Sequence, residues 1–200
     1  TKNLATGEGG MLISNNDNYI DKSRKLALHG MSLDAWKRYG AEGYQHYNIE
    51  EAGHKFNMMD LQASIGLHQL HKIEKNWNKR KKIWDRYQME FEDLPIKLPY
   101  NKFNEMKHAY HLFTIQIDKQ ITGVSRDEFL ERMKEYNIGC GVHYRSIPDH
   151  GFYKNEYGFN TSDYPNAKAI GDRTVSLPLS PKLTISNINY IVDVVKSLFR

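Results

Sequence analysis

The longest hydrophobic pattern in the chain begins just after Asn57-Met58-Met59-Asp60, a sequence typical of a helix start. Apolar side chains then recur at helical spacing, so the pattern predicts one helix that continues to about residue 92. Its apolar face would carry Leu61, Ile65, Leu70, Ile73, Trp77, Trp84, Tyr87 and Phe91. Pro95 and Pro99 follow, and prolines at this point indicate the exit of the helix and a hinge between domains.

Shorter patterns predict the elements before this helix. Residues 11–14 form an apolar run that predicts a short strand. Residues 15–17 can cap a short amphipathic helix that ends at Gly30. Residues 31–56 lack clear periodicity, and a long irregular segment in a compact domain is often functional. Within it, Asp34-Ala35-Trp36 is a candidate lining for a site between subunits, although the sequence gives no role for each residue.

Beyond the hinge the element types alternate. Strands are predicted at residues 111–117, 138–143 and 174–179. Ser125-Arg126-Asp127-Glu128 is a capping box that opens a helix to Tyr136, and Thr184 or Ser186 caps a terminal helix. This alternation predicts an open α/β sandwich in which helices pack against a small sheet. We therefore expect two domains, residues 1–92 and residues 93–200.

Composition restricts the classes of protein that fit the chain. Of its 200 residues 40% are hydrophobic and 26% are charged, as in an ordinary globular protein. No window has the apolar length of a membrane span, and no leader precedes a cleavage site. The single cysteine, Cys140, excludes an internal disulfide and fits a reducing cytosol, and we expect it to be a small buried residue. A net charge of +4 is compatible with anionic substrates but does not indicate nucleic acid.

Other polar features favour structural roles. The basic run at residues 75–82 fits a helix with one buried stripe and one solvated face, because Trp77 and Trp84 lie seven residues apart. The histidines lack the spacing of a closed metal site, so no metal is expected. The histidines considered are His108, His111, His143 and His150.

Candidate chemistry begins at Lys2, which precedes the turn-rich run Thr6-Gly7-Glu8-Gly9-Gly10. A lysine on a tight loop of small residues can form an imine with a flat cofactor. A lysine near a glycine-rich loop can equally be a solvated or frayed surface residue. The run by itself leaves both interpretations open.

The chain as a whole resembles the DegT/StrS family of nucleotide-sugar aminotransferases, which use pyridoxal phosphate. The stretches that carry the resemblance are TKNLATGEGGMLISN, LALHGMSLDAW, GHKFNMMDLQASIGLHQL, HAYHLFTIQID, IGCGVHYR and SLPLSP. Within the family they look most like the enzyme that forms 4-amino-4-deoxy-arabinose. The resemblance implies the C-terminal half of a fold type I transferase, with the end of the large domain, a connecting helix and a small domain.

The resemblance also implies roles for individual residues. Lys2 would carry the cofactor, and Asn57 would reach the cofactor phosphate of the neighbouring subunit in a homodimer. Asn57 could also serve only as a helix cap. His143 and Tyr144 would face the substrate. A second histidine, usual five residues after the first, is replaced here by Pro148, and His150 is a possible substitute.

The implied reaction transfers an amino group, with glutamate as the expected donor, to the keto-sugar of a sugar nucleotide in the cytoplasm. Such enzymes act in polysaccharide or lipopolysaccharide biosynthesis. Family members carry about the same length again before the lysine, and that half is expected to supply most of the cofactor site. One alternative is a sugar-nucleotide dehydratase of the same fold, in which histidine replaces the lysine. Another is a non-catalytic module that binds an acidic partner through residues 75–82.

Overall fold

The computed structural model describes residues 2–32, 46–100 and 105–199. The chain divides into two compact units, which we call the leading unit, Leu4–Lys72, and the main unit, Thr1–Asn3 with Ile73–Arg200. This division falls at the junction of two helices, about twenty residues before the hinge that the sequence suggested. The predicted domains, residues 1–92 and 93–200, are expected parts of a longer protein, and this division of the chain does not test them. They stay a prediction.

The leading unit contains two helices, α1 (Asp17–Ala27) and α2 (Asp60–Leu70). Asn16 caps α1, because its side chain accepts a hydrogen bond from the Asn18 amide at 3.0 Å. The prediction of a strand at residues 11–14 is wrong. Met11 and Ile13 are 86% and 85% exposed, and no described segment pairs with this run.

The main unit carries the remaining helices and the sheet. The helices are α3 (Ile73–Glu90), α4 (Lys119–Thr122), α5 (Arg126–Glu135), α6 (Gly151–Tyr157), α7 (Pro165–Arg173) and α8 (Ile185–Ser197). Two short 3₁₀ turns lie at Ile147–Asp149 and Thr161–Asp163. The strands are β1 (Phe113–Gln116) and β2 (Thr174–Leu177). Along the described ranges, no helix has the length and apolar character needed to cross a bilayer.

The strands β1 and β2 form an antiparallel sheet, with Phe113 opposite Leu177 and Gln116 opposite Thr174. The prediction of a full strand at residues 138–143 is wrong. That segment meets the sheet only as a bridge between Gly141 and Ser176. The predicted caps at Ser125 and Thr184 are confirmed, since each side chain accepts a hydrogen bond from the third residue of its helix.

The predicted long helix is interrupted. It is divided into α2 and α3 by a turn at residues 71–72, where the Lys72 amide donates to the Gln69 carbonyl at 3.1 Å. Apolar residues continue through the turn although the apolar side chains of α2 are largely exposed and those of α3 are mostly buried or half-buried, so periodicity alone does not mark the break. Of these two helices, α3 contributes residues to the core of the main unit and α2 does not.

Aromatic side chains of α3 build that core. Trp84 packs edge-on against Phe113 of β1, with ring centroids 4.9 Å apart, and Tyr87 does so at 5.2 Å. Other fully buried members come from β1, α5, β2 and α8 and include Ile115, Phe129, Met133, Val175 and Val195. Large aromatic surfaces of this kind supply most of the hydrophobic stabilisation of a small domain.

A buried arginine ties α3 to the sheet region. Arg80 is 3% exposed, although it belongs to the basic run at residues 75–82. Its guanidinium donates to the carbonyls of Leu179 at 2.9 Å, His111 at 3.1 Å and Tyr110 at 3.5 Å. Burial lowers the pKa of Arg80, but an arginine stays protonated at neutral pH. The guanidinium therefore fastens α3 to two segments that are distant in sequence.

We expect Arg80→Met to lower the free energy of unfolding by about 2–4 kcal/mol, because it leaves buried carbonyls without a charged donor. Urea denaturation would measure the loss. Lys82→Met, at an exposed position of the same helix, is the matched control and should change stability by less than about 0.5 kcal/mol. Equal effects of the two substitutions would show that Arg80 contributes only its aliphatic chain.

Candidate active site

The segment of residues 108–111, just before β1, is held by side chains from elsewhere in the main unit. The Trp77 indole donates to the His108 carbonyl at 2.7 Å, and Arg80 donates to the His111 carbonyl at 3.1 Å. The Asn3 side-chain amide donates to the Ala109 carbonyl. These contacts fix the backbone that presents His111, and they also fasten the chain next to Lys2.

Lys2 itself has an exposed side chain. Its amine makes no hydrogen bond or ion pair with any residue that the structure describes, whereas its neighbour Asn3 is bound to the main unit. A lysine with a free amine on a fastened backbone can reach a ligand without first breaking a contact. Access of this kind is one requirement of a nucleophilic lysine, and the other is an environment that favours the neutral amine.

His143 lies at the end of the segment that bridges to β2. Its Nδ1 atom is 2.8 Å from Ser176 Oγ. The Tyr144 ring packs edge-on against the His143 ring with centroids 4.9 Å apart, and Tyr144 is otherwise 73% exposed. His143 is thus held by protein contacts, while Tyr144 has a free face that could pack against a ligand.

Electrostatic interactions link these residues. The pKa of His111 lies below its ordinary value, first because of burial and then because of positive charge at Arg80, Lys2 and His143. Arg80 donates to the His111 carbonyl, and Asn3 beside Lys2 donates to the Ala109 carbonyl. His143 contacts Ser176, which pairs with Thr114 of β1. These contacts bring Lys2, Arg80, His111 and His143 into one part of the main unit, which we call the electropositive cluster. Such a cluster can attract an anionic ligand and supplies donors to its oxygens.

Two polar atoms in or beside this cluster are buried without a hydrogen-bond partner among the described residues. They are His111 Nδ1 and Asn3 Oδ1. An unsatisfied buried polar atom is costly, and a ligand would be one way to satisfy it. The sequence did not single out His111 as a site residue. The signal that could have found it was its place in HAYHLFTIQID, one of the family-like stretches.

Asn57 lies in the leading unit and is exposed. The interpretation of Asn57 as the helix cap is wrong, because α2 begins at Asp60 and Met59 holds the cap position. The Met59 amide donates to Gln62 Oε1 at 3.1 Å, and the Asn57 side chain accepts a hydrogen bond from the Lys55 amine. Asn57 is therefore a polar surface residue beside a cation.

The segment after His143 differs from the family pattern. Pro148 is buried in the 3₁₀ turn, and His150 is exposed where α6 begins. Between them, Asp149 Oδ1 accepts a hydrogen bond from Thr161 Oγ1 at 3.0 Å, which is the main reason that its pKa is lowered. His150 is not among the charges that act on His111. Its substitution for the second histidine stays a prediction.

Burial raises the pKa of Cys140 to about 12, so the thiol is protonated at neutral pH and is unsuited to be a nucleophile. Within the described ranges, no group of three or more histidine, cysteine or acidic side chains is arranged to hold a metal ion. The segment Asp34-Ala35-Trp36 lies outside the described residues.

Comparison with known proteins identifies the relatives of the chain. The model of the DegT/DnrJ/EryC1/StrS aminotransferase family matches residues 1–196. The spore coat polysaccharide biosynthesis protein SpsC of Bacillus subtilis is 40% identical over the whole chain, which covers 52% of that protein. The uncharacterized protein MJ1066 of Methanocaldococcus jannaschii is 41% identical over 99% of the chain, which covers 51% of it.

Solved structures agree. The sugar aminotransferase Spr1654 of Streptococcus pneumoniae, in its apo form, superposes with a TM-score of 0.83 at 30% identity, over 98% of this chain and 48% of that one. Its PLP form superposes with a TM-score of 0.78. Helicobacter pylori PseC, at 21% identity and a TM-score of 0.79, shares the fold. The chain spans about half the length of these proteins, and it belongs to the DegT/DnrJ/EryC1/StrS aminotransferase family.

Proposed function

We propose that the whole protein is a pyridoxal-phosphate-dependent aminotransferase that acts on a sugar nucleotide. It transfers an amino group from glutamate to a keto-sugar that is carried on a nucleoside diphosphate, as a step in the synthesis of a surface polysaccharide or lipopolysaccharide. Family membership supports the reaction class, and the role of its relative SpsC in spore coat polysaccharide biosynthesis supports the biological setting. Formation of 4-amino-4-deoxy-arabinose remains one candidate among the possible products.

The observation that carries the proposal is the position of Lys2. Its amine is exposed and unpaired among the described residues, and the adjacent Asn3 is bound to Ala109, two residues before His111. A nucleophilic amine thus lies in the same electropositive cluster as two imidazoles. The same lysine disfavours the dehydratase alternative, in which histidine occupies this position.

The described residues fit the cofactor. Lys2 supplies an amine for covalent attachment, and positive charge nearby suits the anionic groups of pyridoxal phosphate and of a sugar nucleotide. When bound, the cofactor supplies an electron sink for the amino-transfer chemistry. In this chain Lys2 would hold the cofactor covalently. Asn57 would contact the phosphate of the cofactor that is bound to a partner subunit.

The chain's own residues would then perform the remaining tasks. Once released, the Lys2 amine would be the base that removes the proton from the donor's α-carbon, holds it and delivers it again during the transfer. His143 and Tyr144 would orient the sugar, the first by donating a hydrogen bond and the second by packing its exposed ring against it. Orientation of this kind accounts for much of enzymatic rate enhancement.

Part of the leading unit's surface is suited to contact with other protein, as a homodimer with composite sites requires. The unit exposes large apolar side chains, which either the rest of the whole protein or a second subunit would cover. They include Met11, Ile13, Phe56, Met59, Leu61 and Leu67. Asn57 follows directly after Phe56 on this unit, with Lys55 beside it. An amide donor and a cation together are suited to an anion such as a phosphate.

The structure weakens the alternative of a basic binding module. Within the run at residues 75–82, Arg80 is buried and donates to backbone carbonyls, and the Lys81 amine lies 2.6 Å from a carboxylate oxygen of Asp85. The part of the run that remains available to an acidic partner is therefore smaller than the sequence suggests.

We expect the cofactor of the full-length protein to be attached to Lys2. Borohydride reduction followed by peptide mapping should leave a reduced pyridoxyl group on the peptide that contains Lys2. Lys2→Ala should abolish both the label and amino transfer, while Lys119→Ala, on the exposed end of α4, should change neither. Label on another lysine would contradict the assignment.

Composite sites can be tested by mixing an inactive variant with one that retains the cofactor poorly. Asn57→Asp should weaken cofactor retention, because it puts a carboxylate near a phosphate. Asn78→Asp, at an exposed position of α3, is the matched control. If Lys2 and Asn57 meet across a dimer, subunits that carry Lys2→Ala and Asn57→Asp should regain activity when they are unfolded and refolded together. Failure to regain it would argue against sites shared between subunits.

The electropositive cluster predicts a coupled titration. Because positive charge at Lys2 is one cause of the lowered His111 pKa, Lys2→Ala should move that pKa upward, but not to its ordinary value, since burial remains the largest cause. Histidine NMR titration of the cofactor-free protein would measure the change. Lys119→Ala should leave it unchanged. An unchanged His111 pKa in Lys2→Ala would separate the two residues.

A further inference from the structure

The imidazole of His143 is held between a hydroxyl and a glycine. Its Nδ1 atom lies 2.8 Å from Ser176 Oγ. The backbones of Gly141 and Ser176 exchange two hydrogen bonds, at 2.7 Å and 3.0 Å, so both residues have fixed positions. A Cβ atom on Gly141 would lie 2.8 Å from His143 Cε1, closer than such atoms approach in proteins. The ring therefore occupies the space that the missing side chain leaves.

The burial of Ser176 decides the direction of this hydrogen bond. Ser176 is 4% exposed, and among the described residues His143 is the hydrogen-bond partner of its hydroxyl. A hydroxyl has one hydrogen to donate and two lone pairs that accept. Buried donors without a partner are rarer in proteins than buried oxygens with an unused lone pair. The hydroxyl therefore donates, and His143 Nδ1 accepts.

We infer that Ser176 is a positioning residue, which fixes the neutral His143 ring with its hydrogen on Nε2. The Nε2 atom then offers a hydrogen-bond donor, and never an acceptor, to a ligand that contacts it. Contacts within this chain determine the tautomer and the orientation of the His143 ring, while the identity of the ligand rests on the proposed function. The acceptor we expect is an oxygen of the sugar nucleotide, either a sugar oxygen or a phosphate oxygen.

A fixed donor gives selectivity as well as binding. A neutral imidazole without a partner on Nδ1 exchanges between its two tautomers, and in one of them Nε2 would repel a substrate oxygen. Holding the hydrogen on Nε2 removes that state before the substrate arrives. This is the preorganisation by which groups behind a contact residue contribute to rate without touching the substrate.

The first test observes the tautomer directly in the full-length, cofactor-free protein. Nitrogen-15 histidine NMR above the titration range should show a pyridine-like Nδ1 and a pyrrole-like Nε2 for His143, assigned by the signal lost in His143→Gln. Ser176→Ala should yield averaged nitrogen shifts. Thr174→Val removes a buried hydroxyl two residues away on β2 and should leave the signals unchanged. A pyrrole-like Nδ1 in the unsubstituted protein would overturn the inference, whatever the variants do.

Gly141→Ala tests the same contact from the opposite side. The added Cβ should displace the ring from Ser176 and produce the averaged shifts seen in Ser176→Ala, although Ser176 itself is intact. Persistence of the fixed tautomer in both variants would mean that something other than Ser176 holds the ring, and would overturn the inference.

The second test is a double-substitution cycle in the cofactor-loaded enzyme. Ser176→Ala should lower kcat by about three- to tenfold, and KM less, because one neutral hydrogen bond behind the contact residue is lost. In a His143→Ala background, Ser176→Ala should have no further effect. Ser176→Thr, which keeps the hydroxyl, should restore most of the rate. An equal additional loss in the His143→Ala background would show that Ser176 acts independently of His143.

The two tests also separate this inference from the proposed function. A fixed Nε2–H tautomer in a protein without amino-transfer activity would leave the positioning of His143 standing and reject the proposed reaction. An active aminotransferase with a freely exchanging His143 would do the reverse.

Discussion

The architecture of the main unit depends on the guanidinium of Arg80. A helix packs on a small sheet mainly through apolar contacts, which do not by themselves fix how the connecting segments run. Arg80 donates to the carbonyls of His111, which precedes β1 in the sequence, and of Leu179, which follows β2. A buried charge is tolerated only when its donors are used. This requirement holds the segment before β1 and the segment after β2 to the same point on α3.

The candidate site is a consequence of that fastening. The carbonyl of His111 accepts a hydrogen bond from Arg80, so the contact that stabilises the fold also fixes the backbone from which the His111 side chain extends. Burial, and after it positive charge at Arg80 and Lys2, lowers the pKa of His111. Stability and chemistry therefore depend on one residue, and a binding defect and a folding defect would be hard to separate at Arg80 without a stability measurement.

His143 is positioned by a different and more local device. Its support comes from a hydroxyl on β2 and from the absence of a side chain on Gly141, both fixed by a single bridge to the sheet. A bridge of one residue pair suffices because β2 is buried at all four positions and provides a rigid base. The segment at residues 138–143 does not need to be a strand to present its histidine.

The sequence by itself determined the helix caps at Asn16, Ser125 and Thr184, the positions of both strands of the sheet and the family. Capping boxes such as that at Ser125 and long apolar faces such as that of α3 are local signals, because the responsible residues are close in sequence. The lysine run and the stretches around it identified the aminotransferase family, and the family model and solved structures confirmed that. Tertiary structure alone decided the break between α2 and α3, the burial of Arg80 inside a basic run and the loss of Asn57 as a cap. It alone also brought Lys2, His111 and His143 together and placed the Ser176 hydroxyl against His143 Nδ1. Each of these features depends on contacts between residues that are distant in sequence, and no local pattern records such contacts.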